Sequence, residues 1–381
     1  KLFLYGIIIV TKDTNIYMRQ NKQNQIIYFF PDPQIGGVEK NFFTISKYLS
    51  TLFKHTFLIS GNQINKKIDK NIKLIMISNF WSYINRRLLF IICSIKLFLV
   101  SSKFEKSIIF SFQGNFYAII VSILLKRKIV IRSNLSPHGW KSSPFKIKVF
   151  KYLLSKANLI IVNSNEFQKE MKKTFGINAI TIFNPTNVKE LKRLSAYKKK
   201  ISFFKKTTIN LINVGRLVKQ KNQIDILQAL IKLKTSIVNY RLLIIGHGPE
   251  KIYLQNFILR NKLKKYVKII SVQNPYKYIK MSDVFILSSK YEGLPNVLLE
   301  AAYLNKYIIS SNCKTGPKEI IKKYKYGKLY KIDNVNDLSS KLKKLNKIRL
   351  SSNKKNFSAS LTIFNYKKNL IKYSDAIKKL L

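Results

Sequence analysis

Ser288-Ser289-Lys290-Tyr291-Glu292-Gly293-Leu294-Pro295-Asn296-Val297-Leu298-Leu299-Glu300-Ala301 follows the apolar run Val284–Leu287, and its chemistry predicts a strand, a tight turn and a helix. Gly293 permits close backbone approach, and Pro295 suits a first helical turn. The amides near Asn296 and Val297 then form an anion site, because a helix N-terminus combines unpaired N–H groups with the positive end of the dipole. Glu292 falls in the turn and Glu300 in the helix, with seven residues between them. A carboxylate accepts paired hydrogen bonds from a vicinal diol and repels a phosphate. The segment therefore offers amides to phosphate and acids to a sugar. Taken singly, each acid reads as a helix cap or a solvated helix residue.

On either side of this segment, short β-branched and aromatic runs alternate with amphipathic stretches. They are Ile26–Phe30, Thr56–Ser60, Lys73–Ile77, Ser107–Phe112, Ile129–Arg132, Leu159–Asn163 and Ile180–Phe183, then Ile209–Val214, Arg241–Ile245, Val267–Ile270, Val284–Ser288 and Tyr307–Ser310. Such β/α alternation predicts parallel sheets. With 381 residues, two domains are expected: residues 26–190, a lysine-rich linker over 191–206, residues 207–360, and a C-terminal helix over 361–381 that caps one of the sheets. Residues 1–25 are set aside as an extension. The expected fold class is α/β, with two doubly wound, Rossmann-like domains facing across a cleft, where the carboxyl ends of the strands place ligands.

The balance of 71 Lys+Arg against 17 Asp+Glu gives a formal charge of +54, which attracts polyanions, either nucleic acid or an anionic membrane. A chain rich in Lys, Ile, Asn, Phe and Tyr together also fits compositional bias with solvated lysines. Two cysteines, Cys93 and Cys313, exclude a disulfide framework and suggest a reducing, cytoplasmic setting. The run Leu88–Val100, broken by Lys96, falls short of the ~20 residues that a spanning helix needs. It reads as a core helix, or as a face lying on a bilayer.

Other segments gather at the predicted strand ends. Val214-Gly215-Arg216-Leu217-Val218-Lys219-Gln220-Lys221 places two cations five residues apart, suited to a doubly charged leaving group. Ile35-Gly36-Gly37-Val38-Glu39-Lys40 opens a helix after the first strand. Ile245-Gly246-His247-Gly248-Pro249 and Thr315-Gly316-Pro317 are further turns, and Arg132-Ser133-Asn134 leads towards His138.

Together these motifs resemble the retaining nucleotide-sugar glycosyltransferases of family four, which have the GT-B fold and an E-x7-E motif, and the resemblance runs from Ile26 onward. It implies transfer of a hexose or N-acetylhexosamine, UDP-linked by family habit, to a glycan or lipid-linked acceptor in surface polysaccharide or lipopolysaccharide synthesis. Arg216, Lys221 and Glu292 would be catalytic. Gly37, Gly215, Gly293, Leu294, Asn296, Val297 and Glu300 would bind the donor, while Asn134 and His138 would line the acceptor side. Many relatives carry a histidine directly after the strand that here ends in Arg132-Ser133-Asn134, and this chain departs from that pattern. No cofactor and no metal are expected. Peripheral contact with the inner face of an anionic membrane is an expectation of the charge and of the Arg86–Lys103 stretch. Two other readings stay open: a basic nucleic-acid-binding protein, and another GT-B enzyme such as a sugar-nucleotide epimerase. No nucleic-acid motif is found, so a nucleic-acid partner is not expected.

Overall fold

The computed structural model describes residues 25–34, 36–53, 55–62, 64, 68–77, 85–134, 143–196, 201–352 and 356–381. The first domain is a seven-stranded sheet of β1 (Gln25–Phe29), β2 (Thr56–Ser60), β3 (Ile72–Met76), β4 (Ser107–Ser111), β5 (Lys128–Ser133), β6 (Leu159–Val162) and β7 (Ile180–Thr181), in the order β3-β2-β1-β4-β5-β6-β7. The second is a six-stranded sheet of β8 (Ile209–Val214), β9 (Tyr240–Ile245), β10 (Val267–Ile270), β11 (Val284–Leu287), β12 (Tyr307–Ser311) and β13 (Gly327–Tyr330), in the order β10-β9-β8-β11-β12-β13. Every pairing in both sheets is parallel.

Because side chains alternate along a strand and both faces are covered, the central strands are largely apolar on both faces. In β1, Ile27 and Phe29 join one core, with Leu89, Cys93 and Leu97 of helix Arg86–Ser101. Ile26 and Tyr28 join the other, with Phe42 and Ile45 of helix Gly37–Leu49. The C-terminal helix Tyr366–Lys378 packs on that second face through Tyr373 and Ile377, both fully buried. The chain therefore crosses between the domains twice, and the two crossings touch at a bridge between Thr186 and Asn365.

The expected linker over 191–206 is corrected at its start. Val188–Ser195 is a helix, capped by the Asn187 side chain accepting from the Glu190 amide. Its buried Leu191 and the acceptance of Asn274 Nδ2 by the Leu194 carbonyl (3.0 Å) fasten it to the second domain, beside helix Tyr276–Met281. Strand β13 was not expected, because Lys328 interrupts its short apolar pattern and Lys325 and Lys331 flank it at the sheet edge.

One buried acid in the second domain makes the fold pH-sensitive. Asp225, in the first turn of helix Gln223–Ile231, has an unpartnered Oδ2. Burial first, and Asp333 second, push its carboxyl up to about 6. An acid raised in the folded chain loses stability as pH climbs from the ordinary carboxylate range through that value. Asp225→Asn should therefore melt at a higher temperature than the parent well above pH 6, the gap closing as pH falls below it, as followed by thermal denaturation across pH.

Candidate functional site

In each sheet the strand order reverses between two central strands, β1 and β4 in the first and β8 and β11 in the second. Ligands bind at such switch points because the loops leaving the two strands diverge and open a crevice. The loops that follow β1, β8 and β11 carry most of the expected site residues, and Asn134 and His138 follow β5.

After β8 come the two cations. Arg216 is exposed, and its Nη1 donates to Gln34 Oε1 across the cleft (3.2 Å). The orientation of Gln34 is fixed by Asp32, an acceptor only, whose Oδ2 takes Gln34 Nε2 (3.1 Å). Asp32 is itself held by Arg86 (2.9 Å) and Asn62 (2.8 Å). Arg216 thus faces a neutral oxygen and, among the described residues, has no carboxylate partner. Lys221, in the 3-10 turn Lys219–Lys221, lies 2.5 Å from Glu292 Oε1. A Cβ on Gly215 would only touch the Lys221 methylenes at 3.7 Å, so packing does not demand glycine there. The demand falls on the neighbouring turn, where a Cβ on Gly246 would sit 1.9 Å from the Gly215 carbonyl oxygen and one on Gly248 2.3 Å from that of Leu217. His247 lies between these glycines, its carbonyl accepting from the Leu217 amide (2.8 Å). This turn is scaffold.

After β11 comes helix Asn296–Tyr303, with Pro295 as its cap rather than in its first turn. The Pro295 carbonyl takes the amides of Leu298 (3.1 Å) and Leu299 (3.4 Å), leaving those of Asn296 and Val297 without a helical acceptor. Leu294 is buried and anchors the turn in the core. Thr315 Oγ1 donates to the Glu292 carbonyl, and Gly316, at φ 81°, packs so tightly that a Cβ would meet the Gly293 carbonyl oxygen at 2.0 Å. The turn bearing Glu292 is therefore clamped from behind.

Glu300 is only 4% exposed, which rules out a solvated helix residue. Its Oε1 accepts from Lys40 Nζ (2.5 Å) and from the Tyr276 hydroxyl (3.4 Å), and Lys40 also donates to Tyr276 (2.9 Å). Burial works against the charge on Lys40, but Glu300 and Tyr276 outweigh it and hold the ammonium well above its ordinary value. Burial first, then Glu300, push Tyr276 up to about 12. Lys40 belongs to the first domain and Glu300 to the second, so this pair bridges the cleft.

On the acceptor side, Asn134 Nδ2 donates to the carbonyls of Phe112 (3.0 Å) and Arg132 (3.3 Å), while its Oδ1 is buried without a partner. Asn163, buried, leaves its Oδ1 equally unmatched. Both asparagines crowd Gly293, where a Cβ would lie 2.4 Å from the Asn134 carbonyl oxygen and 2.8 Å from Asn163 Nδ2. Each asparagine thus leaves an unmatched buried amide oxygen in a residue that packs on the Gly293 turn. In the loop after β4, Gln113 and Asn115 are occupied by scaffold: Gln113 Oε1 takes the Asp32 amide (2.8 Å) and Asn115 Oδ1 the Ser111 hydroxyl (2.8 Å). His138 lies outside the described residues. Gly37 meets the second domain directly, its carbonyl accepting from Asn296 Nδ2 (3.0 Å). Among the described residues no three His, Cys, Asp or Glu side chains group as metal ligands.

The structure thus gathers Gly37, Arg216, Lys221, Glu292, Gly293, Asn296, Val297, Glu300 and Asn134 around one crevice. Sequence reasoning missed Lys40, Tyr276, Asn163 and Asn184. Lys40 had a signal, its place directly after the Gly36-Gly37 turn, while the other three carry none beyond residue type.

Residues 195–360 match the family described as glycosyl transferases group 1. Over 245 residues the chain is 29% identical to an uncharacterized glycosyltransferase of Methanocaldococcus jannaschii, covering 59% of this chain and 60% of the relative. Over 251 residues it is 27% identical to the N-acetylgalactosamine-N,N'-diacetylbacillosaminyl-diphospho-undecaprenol 4-alpha-N-acetylgalactosaminyltransferase of Campylobacter jejuni, covering 63% and 66% respectively. The chain thus spans less than two thirds of either relative's own length. Among solved structures it superposes on HepE of Anabaena in complex with UDP and glucose with a TM-score of 0.73 at 17% identity, over 93% of this chain and 99% of that one. The sucrose-phosphate synthase of Thermosynechococcus elongatus gives 0.77 at 15%, over 94% and 99%. Residues 195–360 thus match a glycosyl transferases group 1 model, and the two-domain architecture is that of the GT-B fold.

Proposed function

We propose that the chain is a retaining glycosyltransferase that moves a hexose or N-acetylhexosamine from a UDP-linked donor to a glycan or lipid-linked acceptor in surface polysaccharide synthesis. The observation that carries this reading is the charge arrangement of the crevice. Arg216, with no carboxylate partner, and the unpaired amides of Asn296 and Val297 form a positive seat, while two buried acids stand beside it. HepE binds UDP and glucose, and the Campylobacter relative is named for a diphospho-undecaprenol acceptor, which supports a UDP sugar and a lipid-linked partner here.

On this reading the donor diphosphate takes its place against Arg216 and the helix amides, and Glu300 receives the ribose hydroxyls. Lys221 is neutralised by Glu292 in the present arrangement. When Glu292 turns to the sugar hydroxyls, Lys221 is released to the phosphate, so the positive charge rises as the donor seats. The bond between the anomeric carbon and the phosphate oxygen then breaks as the acceptor oxygen bonds to the same face of that carbon, which retains its configuration. The acceptor proton passes to the departing phosphate oxygen. Fixed positive charge where the negative charge develops is the largest contribution such a site makes, and these cations supply it without a metal or cofactor.

The lipid-linked acceptor places the chain beside a membrane. No helix of the described residues is long and apolar enough to cross one. Helices Arg86–Ser101, Asn115–Leu124 and Pro144–Ser155 lie side by side on the outer face of the first sheet and expose Ile91, Ile95, Ile120, Leu124, Phe145 and Tyr152. Between Arg86 and Lys156 the sequence holds 14 basic residues and one acid, Glu105. An apolar face rimmed with cations fits an anionic bilayer, and the last two helices begin at the cleft side, after β4 and β5.

Arg216→Ala is expected to leave the melting temperature of the free protein unchanged, because the side chain is exposed. It should weaken UDP binding about tenfold or more, as the loss of a charge-assisted contact does; undiminished UDP-induced thermal stabilisation would count against the seat. Release of UDP from UDP-sugars should persist in excess EDTA. Co-sedimentation with phosphatidylglycerol vesicles should exceed that with phosphatidylcholine and fall when Ile91 and Ile95 are both changed to Asp. Equal binding to the two vesicle types, or no effect of the double substitution, would remove the membrane from the reading.

A further inference from the structure

Arg132, next to last in β5, is the largest fully buried side chain among the described residues. Its Nε donates to the Tyr373 hydroxyl (2.8 Å), its Nη2 donates to Asn184 Oδ1 (2.6 Å), and its Nη1 has no partner. Among the described residues no carboxylate accompanies this guanidinium. Burying an uncompensated charge is costly, so its place at the junction of the two domains calls for a role.

The role follows from hydrogen-bond polarity. A guanidinium has donors and no acceptor, so Asn184, itself 1% exposed, must turn its oxygen to Arg132. Its Nδ2 then faces the Leu294 carbonyl (2.9 Å) and Asn296 Oδ1 (2.6 Å). With its oxygen taken, Asn296 must turn its own Nδ2 outward, to the Gly37 carbonyl (3.0 Å) and Asn41 Oδ1 (3.3 Å) of the first domain. Reversing any member would bring two oxygens together, finally Asn296 Oδ1 against the Gly37 carbonyl. The chain of amides therefore has one allowed sense, and Arg132 sets it. It runs from the C-terminal helix and β5, through the crossover at Asn184, to the first residue of the helix that ends in free amides.

We propose that Arg132 is a positioning residue: its donor-only side chain polarises Asn184 and Asn296 so that the donor-side helix is held to the Gly37 turn with the amides of Asn296 and Val297 left open to a diphosphate. The claim rests on the donor-site reading above for its ligand, and on the hydrogen bonds alone for the closed contact. Asn184, which precedes Pro185 in a stretch that reads as a simple turn, is the amide through which this order passes between the domains.

The test compares Arg132→Lys, Arg132→Met and Asn184→Asp with the parent. Lysine is also donor-only and should preserve the relay. Methionine removes the polarity. Asn184→Asp gives Arg132 a carboxylate but deletes the donor to Asn296, so it guards against the Met variant simply failing to fold. UDP titration should show binding near the parent's for Arg132→Lys and about tenfold weaker for the other two. Hydrogen exchange in the ligand-free proteins should rise at residues 37–41 and 296–299 in Arg132→Met and Asn184→Asp and stay at the parent level in Arg132→Lys. If Asn184→Asp keeps both parental exchange and parental UDP affinity, or if Arg132→Lys behaves as Arg132→Met does, the relay is overturned. If the exchange pattern is as expected but the parent binds no nucleotide, the relay stands as a closing contact, while the donor-site reading and the ligand half of the proposal fall.

Discussion

The backbone carbonyls of Gly37 in the first domain and Leu294 in the second both lie where the domains approach, and each needs a donor that a side chain supplies. The side-chain amides of Asn184 and Asn296 fill that need, and a buried guanidinium with nothing to accept decides which way they point. Much of the cleft depends on this contact. It brings the Gly36-Gly37 turn to the mouth of helix Asn296–Tyr303, and Lys40, one helical turn after Gly36, then reaches Glu300 across the gap. Gly293, where any side chain would strike Asn134 and Asn163, completes the approach from the acceptor side.

The charges around this contact divide into compensated and uncompensated. Lys221 with Glu292 and Lys40 with Glu300 are closed pairs at 2.5 Å, each with one member that can turn to a ligand. Arg216 and Arg132 have no anionic partner among the described residues. A site that binds an anion and then lets more negative charge develop on it is served by this division. On the donor-site reading, Arg216 attracts the ligand, Arg132 acts through the amides, and the closed pairs hold cations in reserve until hydroxyls draw the acids away. Pairing also keeps the buried acids from standing alone in an apolar surrounding.

Much of the fold was legible in the sequence because parallel strands buried on both faces leave largely apolar runs; twelve of the thirteen strands among the described residues fall on such runs. The exception, β13, has its short pattern interrupted and flanked by lysines at the sheet edge. The donor segment was legible for a similar reason: Gly293, Pro295 and the spaced acids serve a local turn, and local structure is written in consecutive residues. What escaped was assembled from distant positions. Lys40 is one cation among 71 Lys and Arg, and nothing near it in sequence names Glu300 as its partner 260 positions away. Arg132 was read as the end of the Ile129–Arg132 run, ahead of Asn134 and His138, yet its guanidinium points into the domain junction. Helix Val188–Ser195 was taken for linker because its lysines mask a single buried leucine.

The central claim is that the crevice is built to seat a nucleotide diphosphate by exchanging internal pairs for ligand contacts. A crystal structure of the protein with UDP tests it most directly. The account predicts phosphate oxygens within about 3 Å of Arg216 and of the Asn296 or Val297 amide, the ribose diol on Glu300, and Lys40 shifted to share that carboxylate. Phosphates placed away from these groups, or a ribose that leaves Glu300 bound to Lys40 alone, would contradict it.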